Sequence, residues 1–199
     1  SRWYVMNDEK KPLFFFTKGD GELFFKHQKV FLNSLGIEKE VLFRVDQVHG
    51  NHVYILKDSS VSVSEVSQCK ADAIITDIQD YPIMVLTADC VPIVIYDPIK
   101  HVVGVVHAGR LGTQKQILTN TIEALSREYN SNPKDLIVGM GPAIRGCCYE
   151  VDEPCILPFL TESSLCPEFI CKKSKNNFFL DLPEANRLEG LKAGVLMEN

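Results

Sequence analysis

Two side chains able to do chemistry, Cys90 and His107, bracket an otherwise apolar stretch, LTADCVPIVIYDPIKHVVGVVHAGRLGT (86–113). The cysteine enters the first apolar run and the histidine leaves the second. Behind His107 come the loop Gly109-Arg-Leu-Gly112 and, at Thr113, a helix-start pattern. A third side chain of this class, His49, lies upstream in Gln47-Val-His-Gly50. Each of the three sits where a predicted strand gives way to a turn or loop. Imidazole, thiolate and imidazole make a three-donor set for zinc or for copper. Three protein donors leave a position open for water, phosphate or substrate, as catalytic zinc requires. The same residue types also have plainer uses: a cysteine in an apolar strand is usually a small core residue, and a lone histidine a satisfied polar one.

A second chemistry is available to the same residues. Cys90 as a thiolate activated by His107 would be a nucleophile, with the backbone N–H groups of residues 108–112 facing an oxyanion. That loop and the helix behind it also suit a phosphate, because glycines allow close approach and a helix N-terminus favours an anion. Gly109 and Gly112 would line such a site and Arg110 would add a bidentate contact; a solvated surface arginine is the alternative. Gln47 joins this substrate-facing group. Asp72, at the head of Ala71-Asp-Ala-Ile-Ile-Thr76, could act as a carboxylate base, an orienting group or a strand-entry turn residue. Asp89 adjoins Cys90, and a buried aspartate there would need a cation or a cluster of donors. Asp89 and Gln47 also offer hydrogen-bond partners to metal-bound histidines. The glycine-rich run 139–146 could wall a pocket, but it lacks the spacing of a dinucleotide fingerprint or a P-loop.

These residues need elements to hold them. A short strand is predicted at Leu13–Thr17, ending in the turn Lys18–Gly21, and a short helix at His27–Leu35 closed by Gly36. Val41–Val48 and His52–Leu56 read as strands joined by a tight hairpin turn at Gly50-Asn51. The serine-rich segment 58–70 reads as a mobile loop. Strands follow at Ala73–Thr76, Ile83–Thr87, Val91–Tyr96 and Val102–His107; the last three are almost wholly apolar, as strands covered on both faces are. Thr113-x-x-Gln116 fits a capping box for a helix whose stripe is Ile117, Leu118, Ile122, Leu125 and Tyr129. Leu136–Met140 returns as a strand. Gly141-Pro142 then turns into a strand at Cys147–Val151, in which Cys148 either lies near the site or belongs to the strand core, the second being favoured. A short helix at Glu153–Leu160, a strand at Phe178–Leu180 and a helix capped by Asp181-x-x-Glu184 complete the chain. No repeat or interdomain linker appears, so residues 1–199 read as one α/β domain around a largely buried mixed sheet.

Composition narrows the partners. The 199 residues are 45% hydrophobic and 24% charged with a net charge of −5, and no Lys/Arg cluster stands out, which argues against nucleic acid. No apolar run reaches membrane-spanning length, and the start SRWYVMNDEKKP has no apolar core of a signal peptide. Seven cysteines, an odd number, without such a signal imply reduced thiols in a cytoplasmic protein. The adjacent Cys147-Cys148 pair does not suit a simple bridge.

Taken together, the segments QVHG (47–50), ADAIIT (71–76), LTADCVPI (86–93), VGVVHAG (103–109), GPAIRGCCYEV (141–151) and LDLPEANRLEGLKAGV (180–195) resemble one family. It is the YfiH or laccase-domain proteins, long labelled polyphenol oxidases. The resemblance implies an α/β (α+β) fold, with mixed sheets in a sandwich-like core flanked by helices. It implies a zinc site on His49, Cys90 and His107, with copper possible in vitro. It also implies purine nucleoside chemistry: phosphorolysis of adenosine, inosine and methylthioadenosine, and deamination of adenosine. The substrates expected are thus a small purine nucleoside and phosphate, handled by a monomer or weak dimer. Cys90, His107, Asp72 and Asp89 form the expected catalytic set. The oxidase label fits poorly, because five histidines cannot furnish both a blue-copper site and a further imidazole-rich cluster. Where the family reads HAG-Trp-Arg-Gly, this chain has HAG-Arg110-Leu111-Gly112, which displaces the arginine by one place. The chain is shortened between Gly21 and His27, and it stops at Asn199, where relatives continue through a Ser-Tyr-Arg-Arg-like segment. Two other readings remain at this point, a Cys–His hydrolase or amidase and a metal-binding relative without turnover.

Overall fold

The computed structural model describes residues 42–161, 167–174 and 177–198. The strand expected at Leu13–Thr17, its turn at Lys18–Gly21 and the helix expected at His27–Leu35 lie outside the described residues.

The main sheet contains β1 (Val53–Leu56), β2 (Ala73–Thr76), β3 (Val91–Asp97), β4 (Val102–Ala108) and β5 (Ile137–Met140), in the order β1-β2-β4-β3-β5. β1 and β2 run parallel and the other neighbours antiparallel, so the sheet is mixed. β6 (Glu150–Asp152), β7 (Ile170–Lys172) and β8 (Asn177–Leu180) form a small antiparallel sheet in the order β6-β8-β7. The helices among the described residues are α1 (Val63–Ser67), α2 (Arg110–Gln114), α3 (Ile117–Tyr129), α4 (Glu153–Thr161) and α5 (Leu182–Lys192).

The unbroken Val/Ile runs form strands because both faces of the main sheet are covered. Successive residues of β2 enter different cores: Ala73 and Ile75 join Ile117, Ile122, Leu125 and Ala185, whereas Ile74 joins Phe43, Val45 and Val66. The first core lies under α3 and α5 and extends to Phe159, Phe169 and Leu180, tying in the small sheet. The second lies under α1 and the strap holding Ile78, Tyr81, Ile83 and Val85. Each fully buried aliphatic side chain here contributes roughly 1.5–3 kcal/mol.

Several local expectations change. The Gly50-Asn51 hairpin does not form: β1 pairs in parallel with β2, and the strand pairing of residues 43–46 is limited to isolated bridges, Phe43 to Ile83 and Asp46 to Lys70. The N–H groups of residues 48–50 go instead to a carboxylate, described below. Ile83–Thr87 is likewise a strap with one bridge rather than a strand. The segment 58–70 contains α1, because Ser62 and Glu65 cap each other: Ser62 Oγ accepts the Glu65 N–H at 3.2 Å and Glu65 accepts the Ser62 N–H at 2.8 Å. Cys148 is exposed, in a turn ahead of β6, and not in a strand core.

The largest change concerns the helix expected from Thr113. The helix begins earlier, at Arg110 with Gly109 as its N-cap, and Thr113 is fully buried inside it. The chain then breaks at Gln116, which has a left-handed φ of 61°, and α3 starts anew at Ile117. The expected stripe does face the core, with Ile117, Leu118, Ile122 and Leu125 buried. At the start of α3 the Thr119 N–H donates to Glu189 of α5 at 2.8 Å. A carboxylate of the chain itself therefore occupies that helix end, and the phosphate expectation loses the long helix dipole as a support.

Candidate metal centre

At one end of the main sheet β1, β2 and β3 begin while β4 and β5 finish. The β3–β4 register sets Pro92 against His107 and Val91 against Ala108. Cys90 and His107 therefore leave the ladder on one face, two positions apart. The β2–β4 register sets Ala73 against Val106, so Asp72 stands opposite His107, whose N–H donates to the Asp72 carbonyl at 2.7 Å.

Asp72 organises this end of the sheet. Its carboxylate is fully buried and accepts the backbone N–H groups of Val48 (3.3 Å), His49 (2.9 Å) and Gly50 (2.6 Å). Three successive N–H groups converge on one anion because His49 takes a left-handed φ of 57°. Such a concavity of amides is a known way to hold an anion. Oδ1 of Asp72 also lies 2.8 Å from Nδ1 of His107. A carboxylate only accepts, so Nδ1 carries the proton and the lone pair of Nε2 is free to bind. Of the roles open to Asp72 in the sequence, this geometry corresponds to orienting.

His49, Cys90 and His107 come together as a group able to hold a metal ion, their donor atoms all within 4.8 Å of one another. The two imidazoles meet edge to face, centroids 4.7 Å apart at 83°. His107 is buried, Cys90 half-buried and His49 exposed, so the group opens to solvent on the His49 side. Two glycines permit the approach. A Cβ on Gly109 would lie 2.9 Å from Cys90 Sγ and 3.0 Å from His49 Cδ2, and one on Gly112 would lie 3.0 Å from the Gly50 carbonyl.

Burial lowers the proton affinity of His107 and outweighs the opposing bond to Asp72, which favours a neutral, ligating imidazole. Burial, then Asp89, then Asp72 push the Cys90 thiol up. All three favour the thiol over a free thiolate, which a bound cation would reverse.

The other expected residues are placed as follows. Asp89 is exposed rather than buried, and its carbonyl accepts the Ile144 N–H at 2.9 Å, tying the loop after β5 to the site. Gln47 has both ends of its amide on the backbone of Leu86, each bond 2.8 Å long, and so positions the strap that leads to Cys90. Arg110, the first residue of α2, is half-buried and hydrogen-bonds Tyr149, with Asp152 and Cys155 in its field. Leu111 beside it is 38% exposed. Tyr149 was missed by sequence reasoning, although it lies in the block GPAIRGCCYEV; burial pushes its hydroxyl up while Arg110 opposes this.

A mixed α/β fold with a His–Cys–His donor group at the strand ends of its main sheet defines a candidate metalloprotein with one centre among the described residues. The chain belongs to the family described as multi-copper polyphenol oxidoreductase laccase, whose model matches residues 17–199. It is 34% identical over 158 residues to the purine nucleoside phosphorylase YlmD of Bacillus subtilis, covering 77% of this chain and 56% of that protein. It is 28% identical over 167 residues to the mouse purine nucleoside phosphorylase LACC1, covering 84% of this chain and 36% of that one. Among solved structures it resembles Bacillus licheniformis hypothetical protein YfiH, with a TM-score of 0.79 and 26% identity over 86% of this chain and 66% of the other. YlmD from Geobacillus stearothermophilus gives a TM-score of 0.77 at 29% identity, over 87% of this chain and 66% of the other. The chain thus matches roughly a third to a little over half the length of these two curated relatives. The expected family and fold class are borne out.

Proposed function

We propose that the chain is a zinc-dependent purine nucleoside enzyme, splitting adenosine, inosine and methylthioadenosine with phosphate and deaminating adenosine. The observation that carries this reading is the group His49, Cys90 and His107, three donors within 4.8 Å backed by the buried carboxylate of Asp72. The substrate class comes from the relatives named purine nucleoside phosphorylases.

The donor set fits zinc, which takes thiolate and imidazole readily and leaves a position open when three protein donors bind it. Bound there, zinc would supply Lewis acidity toward an oxygen of the reacting groups. The chain's own residues do the rest. Asp72 fixes the tautomer of His107 and the backbone of His49. Gly109 keeps the approach to Cys90 clear. Arg110 begins beside the donors and holds Tyr149, and turning to a phosphate would mean exchanging that partner. Substrate would enter from the exposed His49 side. In this reading residues 1–199 act as one domain, cytoplasmic, as a monomer or weak dimer.

The test is hypoxanthine release from inosine by the zinc-loaded full chain, with and without phosphate, beside conversion of adenosine to inosine. Phosphate-dependent release that disappears in Cys90→Ala is expected. No release at any zinc loading would overturn the phosphorolysis reading, and the adenosine arm judges deamination separately.

One observation favours a second reading. The 2.8 Å bond between Asp72 and His107, with Cys90 nearby, is also the base–orienter arrangement of a cysteine hydrolase. There Cys90 would alkylate readily without metal and zinc would not protect it. The upward push on the Cys90 thiol runs against that.

A further inference from the structure

Away from the three donors, the loop between β5 and β6 carries a second pair of soft donors. Cys147 and Cys148 are adjacent, both free and both exposed, with their sulfurs 3.2 Å apart. The turn that presents them is fixed. The Arg145 carbonyl accepts the N–H groups of Cys148 at 2.9 Å and Tyr149 at 3.0 Å. Gly146 lies so close to Asp181, the N-cap of α5, that a Cβ there would come within 2.7 Å of the Asp181 Cβ. The two thiols share a hydrogen bond, which pushes the Cys148 thiol up.

This geometry disfavours a direct disulfide. Adjacent Cα atoms are about 3.8 Å apart, below the separation of roughly 4.4 Å or more that an unstrained bridge uses. One atom placed between the sulfurs removes the constraint. With sulfur bonds of about 2.3 Å, a 3.2 Å separation subtends an angle of about 90° at that atom. A tetrahedral centre with the same bonds would want the sulfurs about 3.8 Å apart, and a linear one about 4.6 Å. Near-right angles belong to pyramidal trivalent centres, of which arsenic(III) is the common example.

We propose that Cys147 and Cys148 form a dithiol site, separate from the candidate metal centre, that captures a trivalent thiophile of the arsenical class across both sulfurs. The step balances without an oxidant. An aryl arsenoxide, Ar–As=O, meets two thiols; two As–S bonds form and the As=O bond breaks. The two thiol protons leave with the oxygen as one water, and arsenic stays trivalent. The occupied pair sits one residue before Tyr149, the partner of Arg110, and so at the edge of the proposed active region.

The test uses phenylarsine oxide on the full chain, read by intact mass spectrometry after a wash with excess monothiol, which strips single-sulfur adducts. One adduct that survives the monothiol and is removed by a dithiol is expected. Cys147→Ser and Cys148→Ser should each lose it, and Cys90→Ser should keep it. Both serine variants lie at exposed positions, and circular dichroism checks that they fold. Absence of a monothiol-resistant adduct on the wild type would overturn the proposal. So would its persistence in either single variant, or its loss in Cys90→Ser.

Discussion

Oδ1 of Asp72 lies 2.8 Å from Nδ1 of His107, and the same oxygen accepts the backbone N–H of His49 at 2.9 Å. One buried carboxylate therefore sets the orientation of two of the three candidate donors. Asp72→Asn keeps the shape but offers one acceptor oxygen where four donors converge. Zinc affinity is predicted to fall about 10–100-fold, the usual cost of losing a partner behind a ligand. Stability should fall by about 2–3 kcal/mol as buried N–H groups lose their acceptor. Competition against a chelator and a denaturant melt measure the two effects; unchanged affinity would refute the orienting role.

Gly109→Ala tests the close approach at the open side of the group. Its Cβ would stand 2.9 Å from Cys90 Sγ and 3.0 Å from His49 Cδ2, so one of those side chains must move. The variant should melt within about 1–3 kcal/mol of the parent, the usual cost of overpacking, yet bind zinc at least tenfold more weakly. Normal zinc stoichiometry and affinity in this variant would count against the assigned donors.

The two histidines should separate in their effects. His49 is exposed, whereas His107 is buried against Asp72. His49→Ala is predicted to abolish tight zinc binding with a change in apo-protein stability within about 0.5 kcal/mol. His107→Ala should also lose zinc but cost the apo-protein about 2–3 kcal/mol, because it removes one of the four hydrogen-bond donors on a buried carboxylate. Equal melting of the two apo-variants would show that the burial difference has no energetic meaning.

Glu189 gives the fold a pH dependence away from the donors. Burial pushes its carboxyl from the usual 4.5 up to about 7, against the opposing bonds from Thr119 and Leu118. Across that window the folded chain holds a proton that the unfolded chain releases. Stability from this group is therefore complete below about pH 4.5 and declines as pH rises to about 7. Glu189→Gln is neutral throughout and keeps an oxygen for the Thr119 N–H. It should flatten that part of the pH–stability curve and raise stability at pH 8 by about 1–3 kcal/mol. A parallel curve for the variant would show that Glu189 is not the titrating group.

Much of the site was legible because its chemistry coincides with strand ends. Cys90 and His107 bracket two apolar runs, and the β3–β4 pairing that joins those runs brings the two residues to one face. His49 could be recruited by residue type and by resemblance, but its left-handed backbone and the converging amides around Asp72 are tertiary features that no local pattern encodes. The helix start was misplaced because Thr113-x-x-Gln116 is a good capping pattern. Burial of Thr113 against Asn186, which donates to its hydroxyl at 3.0 Å, overrode that local preference. α1 was missed for the opposite reason: its serines look like a loop, and the box between Ser62 and Glu65 is lost among them. Tyr149 carried no signal of its own, since its role depends on where α2 happens to point Arg110.

The turn joining β3 to β4 bears on all of this. Asp97 is buried, and its Oδ1 accepts the N–H groups of Ile99 and Lys100, each at 2.9 Å. In a strand with one wet face, slippage by a residue exposes the apolar set and is resisted by the whole core. In β3 a one-residue slide would swap Val91, Ile93 and Ile95 for Pro92, Val94 and Tyr96 in the core under α3 and α5, so both cores resist it. It would also send Cys90 and His107 to opposite faces. The packing that fixes the hairpin register, closed at its far end by the Asp97 turn, is therefore also what keeps the candidate donors on one side of the sheet.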